Sequence, residues 1–194
     1  MTTSQVRANA LAEREFAGVD EATVRPAVEA DLAAVQAIYA AHVLDGTGSF
    51  EEVPPGVAEI EARWRAITAG GLPYLVAVDR EERLLGFAYA GPFRPRSAYR
   101  FTVEDSIYVA PEALGGGVGS LLLGALIGAC EERGMRQMIA VIGDSANTRS
   151  IRLHQRHGFV RAGTLVDAGY KFGRWLDAVF MQRTLTPNAG PGRG

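Results

Sequence analysis

The chain has 194 residues, 47% of them apolar and 22% charged, with a net charge of −2. Those values suit one globular domain with a full core and argue against a nucleic-acid-binding surface. A lone cysteine, Cys130, excludes an internal disulfide and points to the reducing cytoplasm, and no apolar run approaches the length of a membrane span.

Residues 1–22 carry acidic side chains and no apolar h-region, so they are expected to be a weakly attached extension rather than a secretory signal. Residues 23–27 read as a short strand. Asp31 is a good N-cap for a helix running to Val43, with Leu32, Val35, Ile38, Tyr39 and Val43 at helical spacing. Gly46, Gly48 and Pro54-Pro55 bracket a loop holding Ser49, Phe50 and Glu51. A second helix over 57–68 ends at Gly70-Gly71. Strands over 74–78 and 84–90, joined by a charged turn, make a hairpin. A basic, aromatic connection over 94–100 leads to a strand over 102–109.

A glycine loop comes next, and then a helix over 118–133 that stops at Gly134. Residues 137–142 read as a buried strand and 149–157 as a helix closed by Gly158. The last strands are placed at 160–166 and 179–184, around a loop of large residues over 169–175. A Pro/Gly-rich tail over 186–194 follows. The order β-α-α-β-β-β-α-β-α-β-β over 23–185 implies an α/β (α+β) fold, a mixed sheet with helices on both faces.

Four glycines fall within residues 115–119, between a strand and a helix. Bare backbone N–H groups and the positive end of a helix can converge there on an anion. A Walker loop needs Lys-Ser/Thr after its last glycine, but Ser120-Leu121-Leu122 follows, so NTP hydrolysis is disfavoured. A dinucleotide fingerprint belongs on the first strand of its unit, and this loop follows the fourth.

Residues 114–119, Leu-Gly-Gly-Gly-Val-Gly, resemble the Gln/Arg-x-x-Gly-x-Gly/Ala pyrophosphate loop of the GCN5-related N-acetyltransferase (GNAT) family. Asn147, Ser150 and the run from His154 to Phe159 resemble that family's later segment. Within the family, segments 87–92, 99–104, 140–143 and 169–177 are similar to phosphinothricin and methionine sulfoximine N-acetyltransferases. Leu114 and Gly115 depart from the pattern, which loses side-chain donors but keeps the backbone cradle.

The resemblance implies a GNAT fold with a mixed, mostly antiparallel sheet. It also implies acetyl-CoA-dependent acetylation of a small amino-acid-like amine by direct transfer, and a homodimer. Glu104 is then the candidate base, or else a solvent-facing strand residue. His154 stands where many relatives place a Tyr that protonates the departing sulfur; the other reading is a partly buried packing histidine. Ile107, Tyr108 and Val109 would border the pantetheine. Leu114, Gly115, Gly116, Gly117, Val118, Gly119 and Ser120 would cradle the pyrophosphate, with Asn147 and Ser150 assisting. Phe50, Arg94, Arg96, Tyr99 and Lys171 are candidates for the amine pocket, each alternatively an ordinary surface or core residue. Asp105 should face away from Glu104, His157 reads as structural, and His42 as surface or loop-facing. No His/Cys/Asp/Glu cluster has metal-ligand spacing. A peptide N-acetyltransferase and a non-catalytic acyl-CoA-binding module are the alternatives.

Overall fold

The computed structural model describes residues 22–186. Apart from Ala22 and Thr186, the expected N-terminal extension and C-terminal tail lie outside the described residues. Seven strands form one sheet: β1 (Thr23–Pro26), β2 (Tyr74–Val78), β3 (Leu84–Pro92), β4 (Thr102–Val109), β5 (Gln137–Gly143), β6 (Val160–Lys171) and β7 (Arg174–Thr184). Their order is β1-β2-β3-β4-β5-β7-β6, and every neighbouring pair is antiparallel except β4–β5. Four α-helices accompany them among the described residues: α1 (Leu32–Asp45), α2 (Val57–Ala69), α3 (Val118–Glu132) and α4 (Thr148–Arg156). The element order is the one expected.

Strand alternation assigns the helices to faces. On β3, Phe87 and Tyr89 point to one side, where Phe87 stacks on Tyr108 and Tyr39 of α1 meets Tyr108 edge-on at 4.9 Å. Gly86 points to the other side. A Cβ there would stand 3.2 Å from Leu122 Cδ1 of α3, so glycine lets that helix lie close. α3 buries Val118, Leu122, Leu123, Leu126, Ile127 and Cys130 at helical spacing, each worth on the order of 2 kcal/mol of hydrophobic burial.

Two expectations need correction. Asp31 does not cap α1 through its side chain; its carboxylate accepts from Val28 N–H (2.8 Å) and from Arg25 (2.8 and 3.0 Å). The expected loop over 169–175 is mostly strand. β6 and β7 continue to Lys171 and Arg174, and only Phe172 and Gly173 turn the chain, at φ +53° and +73°. Two successive left-handed residues match the twist of a hairpin.

β4 and β5 pair only over Thr102–Asp105 and Gln137–Ala140. Beyond that point β4 stays on β3 through Val109, and β5 stays on β7 through Gly143. The sheet therefore opens into a wedge in its middle. Ala110 N–H reaches Leu85 O at 2.9 Å, so even-numbered β4 residues turn their main-chain groups toward β3. Ile107 and Val109 turn theirs into the wedge.

Candidate active site

A cavity of about 850 Å³ fills this wedge. Both splayed strands line it, and Glu104, Asp105, Asn147 and His154 stand on its walls. Glu104 is half-buried. Burial pushes its carboxyl above the usual glutamate range, the neighbouring Asp105 charge adds to that, and Arg94 partly offsets it.

Asp105 faces the opposite side of β4, as alternation requires, and is buried against His154 of α4. Asp105 Oδ2 lies 3.0 Å from His154 Nε2, and the two side chains are 2% and 5% exposed. At the other ring nitrogen, Nδ1–H donates to the Ser150 carbonyl at 2.8 Å. Both ring nitrogens thus face acceptors, an arrangement that favours the protonated ring. Burial alone would lower the His154 pKa, but the Asp105 hydrogen bond and charge, with the Ser150 carbonyl, outweigh it and raise the value. The His154 ring also meets Phe159 edge-on at 5.0 Å.

The glycine loop turns through left-handed Gly115 (φ +88°) and Gly117 (φ +87°) into the first turn of α3. Among the described residues, no acceptor serves the N–H groups of Gly115, Gly117, Val118 or Gly119. This donor set fits a pyrophosphate. A Cβ on Gly119 would sit 3.3 Å from Leu153 Cδ2, so the loop is close to α4. Ser120 Oγ lies 2.7 Å from His157 Nε2, which ties the start of α3 to the end of α4. Leu114 lines the wedge with its side chain exposed. Asn147 caps α4, its side chain accepting from Ser150 N–H at 3.2 Å.

The chain matches the model of the acetyltransferase (GNAT) family over residues 35–159. It belongs to that family. It is 58% identical to a phosphinothricin N-acetyltransferase of Alcaligenes faecalis over 168 residues, 87% of this chain and 84% of the relative. It is 42% identical to an L-methionine sulfoximine/L-methionine sulfone acetyltransferase of Pseudomonas aeruginosa over 166 residues, 86% of this chain and 96% of the relative. A solved GNAT superfamily phosphinothricin acetyltransferase from Sinorhizobium meliloti, in complex with AcCoA, matches with a TM-score of 0.83 and 51% identity. That match covers 85% of this chain and 89% of the solved one.

In this GNAT domain the loop after α1 lines the same cavity as Glu104. Tyr39 Oη sits 2.9 Å from Ser49 Oγ and donates to Glu51 Oε1 (3.0 Å), which also accepts from Arg63 (2.7 Å). Phe50 lines the cavity and leans on Gly143 and Gly169; a Cβ on Gly169 would clash with its ring at 2.2 Å. Lys171 stands outside the cavity wall. It is fully buried, and its Nζ donates to the carbonyls of Gly46 (2.9 Å) and Ser49 (2.8 Å), so it fastens the loop that carries Phe50. Arg94 and Arg96 also lie off the wall, and Tyr99 lines a separate apolar groove against β5, β6 and β7. Of the three, Arg94 reaches the site through its charge on Glu104.

His42 was not expected in the site. It is half-buried on the cavity wall and its Nε2 donates to Val109 O at 2.8 Å, at the mouth of the wedge. Its place on α1 one turn beyond Tyr39 is compatible with that role but does not single it out. Burial pushes the Cys130 thiol up to about 12, which leaves it inert in the core.

Proposed function

We propose that this chain is an acetyl-CoA-dependent N-acetyltransferase acting on the amino group of a small amino-acid-like substrate of the phosphinothricin or methionine sulfoximine type, by direct transfer. The observation that carries the reading is a half-buried carboxylate with a raised pKa, Glu104, where the sheet parts over a cavity whose mouth leads to a glycine-loop anion cradle. The identities to phosphinothricin and methionine sulfoximine acetyltransferases support the substrate class.

When bound, the thioester supplies an activated acetyl group. The glycine-loop N–H groups would hold the pyrophosphate, and the main-chain groups of Ile107 and Val109 would hold the pantetheine arm in place of a missing strand partner. Glu104 takes the ammonium proton, directly or through one water, and frees the lone pair for attack. Main-chain N–H groups in the wedge stabilise the developing oxyanion. Across a turnover nitrogen loses two protons and sulfur gains one, so one proton leaves to solvent. The wall of Ser49, Phe50 and Glu51, tied from behind by Tyr39 and Arg63, suits a compact side chain rather than a long peptide.

The test is thiol release with acetyl-CoA and a panel of amino-acid analogues. Turnover is expected with methionine sulfoximine or phosphinothricin, and silence across the panel would refute the reading. We also infer a homodimer, because the β6–β7 hairpin exposes Leu165, Val166, Tyr170, Phe172 and Trp175, each more than half accessible, along the sheet edge. The unpaired, buried Cys130 supports placement in a reducing cytoplasm. Among the described residues no helix is long and apolar enough to cross a membrane.

A further inference from the structure

A cofactor with a pyrophosphate and a 3′-phosphate brings several negative charges to the mouth of the wedge, and the glycine loop meets them with neutral groups. Residues 110–120 contain no lysine or arginine and one acidic residue, Glu112. α3, which the loop opens, carries no lysine or arginine either. Backbone N–H groups orient an anion without neutralising it. The rest of the cavity wall adds to the mismatch, since Glu51, Glu104, Asp105 and Asp144 all line it.

Among the described residues, Arg149 is the one lysine or arginine on that wall. It is exposed in the first turn of α4 and, among the described residues, makes no hydrogen bond or ion pair. The carboxylates that could hold it are taken: Glu51 pairs with Arg63, Asp105 with His154 and Asp144 with Arg174. A cation in a first turn faces the positive end of its helix, which disfavours it. The helix dipole suits Arg156, in the last turn, and leaves Arg149 without a structural reason. Leu153, on the same side of α4, comes against the glycine loop, where a Cβ on Gly119 would stand 3.3 Å from its Cδ2. Residues four apart on a helix are neighbours, about 5–6 Å between Cβ atoms. Arg149 therefore stands one turn from that contact, on the side of the helix that turns to the cradle.

We propose that Arg149 is a cofactor-binding residue whose guanidinium supplies, to a phosphate of CoA, the positive charge that the glycine loop lacks. This rests on the acetyltransferase reading for the identity of the cofactor. A guanidinium is charged at every working pH and can offer two parallel N–H donors to one phosphate. The loop N–H groups then fix where the pyrophosphate sits, and Arg149 neutralises charge from the opposite element, α4. The cofactor's phosphate end is gripped by both elements that flank the mouth of the wedge. Two of its groups present the same chemistry, the pyrophosphate and the 3′-phosphate, and removing the 3′-phosphate tells them apart.

The decisive experiment is calorimetric titration of CoA and of 3′-dephospho-CoA into the wild type and Arg149→Gln, at low and at high salt. For CoA at low salt, Kd should rise about tenfold or more in Arg149→Gln, the size of one charge-assisted hydrogen bond. The gap should narrow as salt rises, because the wild type loses an exposed ionic contact that the variant never had. A gap that persists with 3′-dephospho-CoA assigns the contact to the pyrophosphate, and one that vanishes assigns it to the 3′-phosphate. Because Arg149 holds nothing in the free protein, Tm without cofactor should stay level or rise slightly in the variant.

Equal Kd values for CoA in the two proteins at low salt would overturn the proposal. So would a loss of the same size at low and high salt, or a lowered Tm of the free variant, since either marks a structural role. A wild type that binds CoA but acetylates no amine would sink the acetyltransferase reading and leave the Arg149 comparison standing. A wild type that binds no CoA would sink both.

Discussion

A carboxylate is a weak base for an ammonium ion unless its surroundings disfavour its charge. Glu104 meets that condition by burial first and by the adjacent Asp105 charge second, with Arg94 working the other way. The sign of the pH effect follows. In the proposed mechanism the base acts ionised, so kcat/KM should rise with pH through the Glu104 pKa, and that limb should lie above the position of an ordinary glutamate. Glu104→Gln should lower kcat/KM by about 10²-fold or more and erase the acid limb. Arg94→Gln should keep the limb and move it to higher pH, since it removes the cation that favours the charged form. Full activity of Glu104→Gln between pH 6 and 9 would remove Glu104 from the mechanism. The raised pKa of His154 has a stability consequence. The ion pair stabilises the fold fully below the unfolded histidine value, and that contribution is lost as pH rises through the folded one.

At the scale of elements, the loop between α1 and α2 depends on one distant side chain. Lys171 crosses from the tip of β6 to donate to two loop carbonyls, and burial lowers its pKa. Lys171→Met should leave the carbonyls of Gly46 and Ser49 without donors, costing about 2 kcal/mol and lowering Tm by roughly 5 °C in a domain of this size. Because the loop carries Phe50 and Glu51, KM for the amine should rise while Kd for CoA holds. Calorimetry and steady-state kinetics on one variant check both halves, and an unchanged KM for the amine would contradict the tie.

Such a contact could not be read from the chain, because its partners are 122 and 125 residues apart. The same holds for His42 and Val109, separated by 67. What was legible was local. The apolar spacing of Leu32, Val35, Ile38 and Tyr39 placed α1, and the glycine cluster placed the start of α3. The length of the β6–β7 hairpin was not legible, since Phe172-Gly173 lacks the Asn-Gly or Asp-Gly signal of a two-residue turn. No local pattern marks the wedge, because where β4 stops pairing with β5 depends on each strand's other neighbour. Glu104 was singled out through the family resemblance, while Asp105 was placed on the correct face by alternation alone.

At the scale of the molecule, the sheet is two half-sheets joined by a short parallel seam, β4 with β5. β1 to β4 carry Glu104 and, through α1, His42 and the Phe50 loop. β5 to β7 carry α4 with His154, and the hairpin with Lys171. The last strand in the sheet is β6, long and largely exposed, with Val166 at 73%, and at the hairpin tip its neighbour β7 exposes Trp175 at 61%. An edge of that length with aromatic side chains on its tip would add strands from other chains without limit unless a closed partner covers it. A second copy covering it through a two-fold contact would also brace the hairpin from which Lys171 reaches into the loop. The wild type should therefore sediment as a dimer of 20.7 kDa chains. Trp175→Glu, which places a charge on the tip without touching the cavity wall, should shift it toward monomer. Because Lys171 then loses its brace, the same variant should show a raised KM for the amine that falls again with increasing protein concentration. A wild type that stays monomeric across the micromolar range would remove the dimer, and with it this coupling, while leaving the chemistry of the wedge intact.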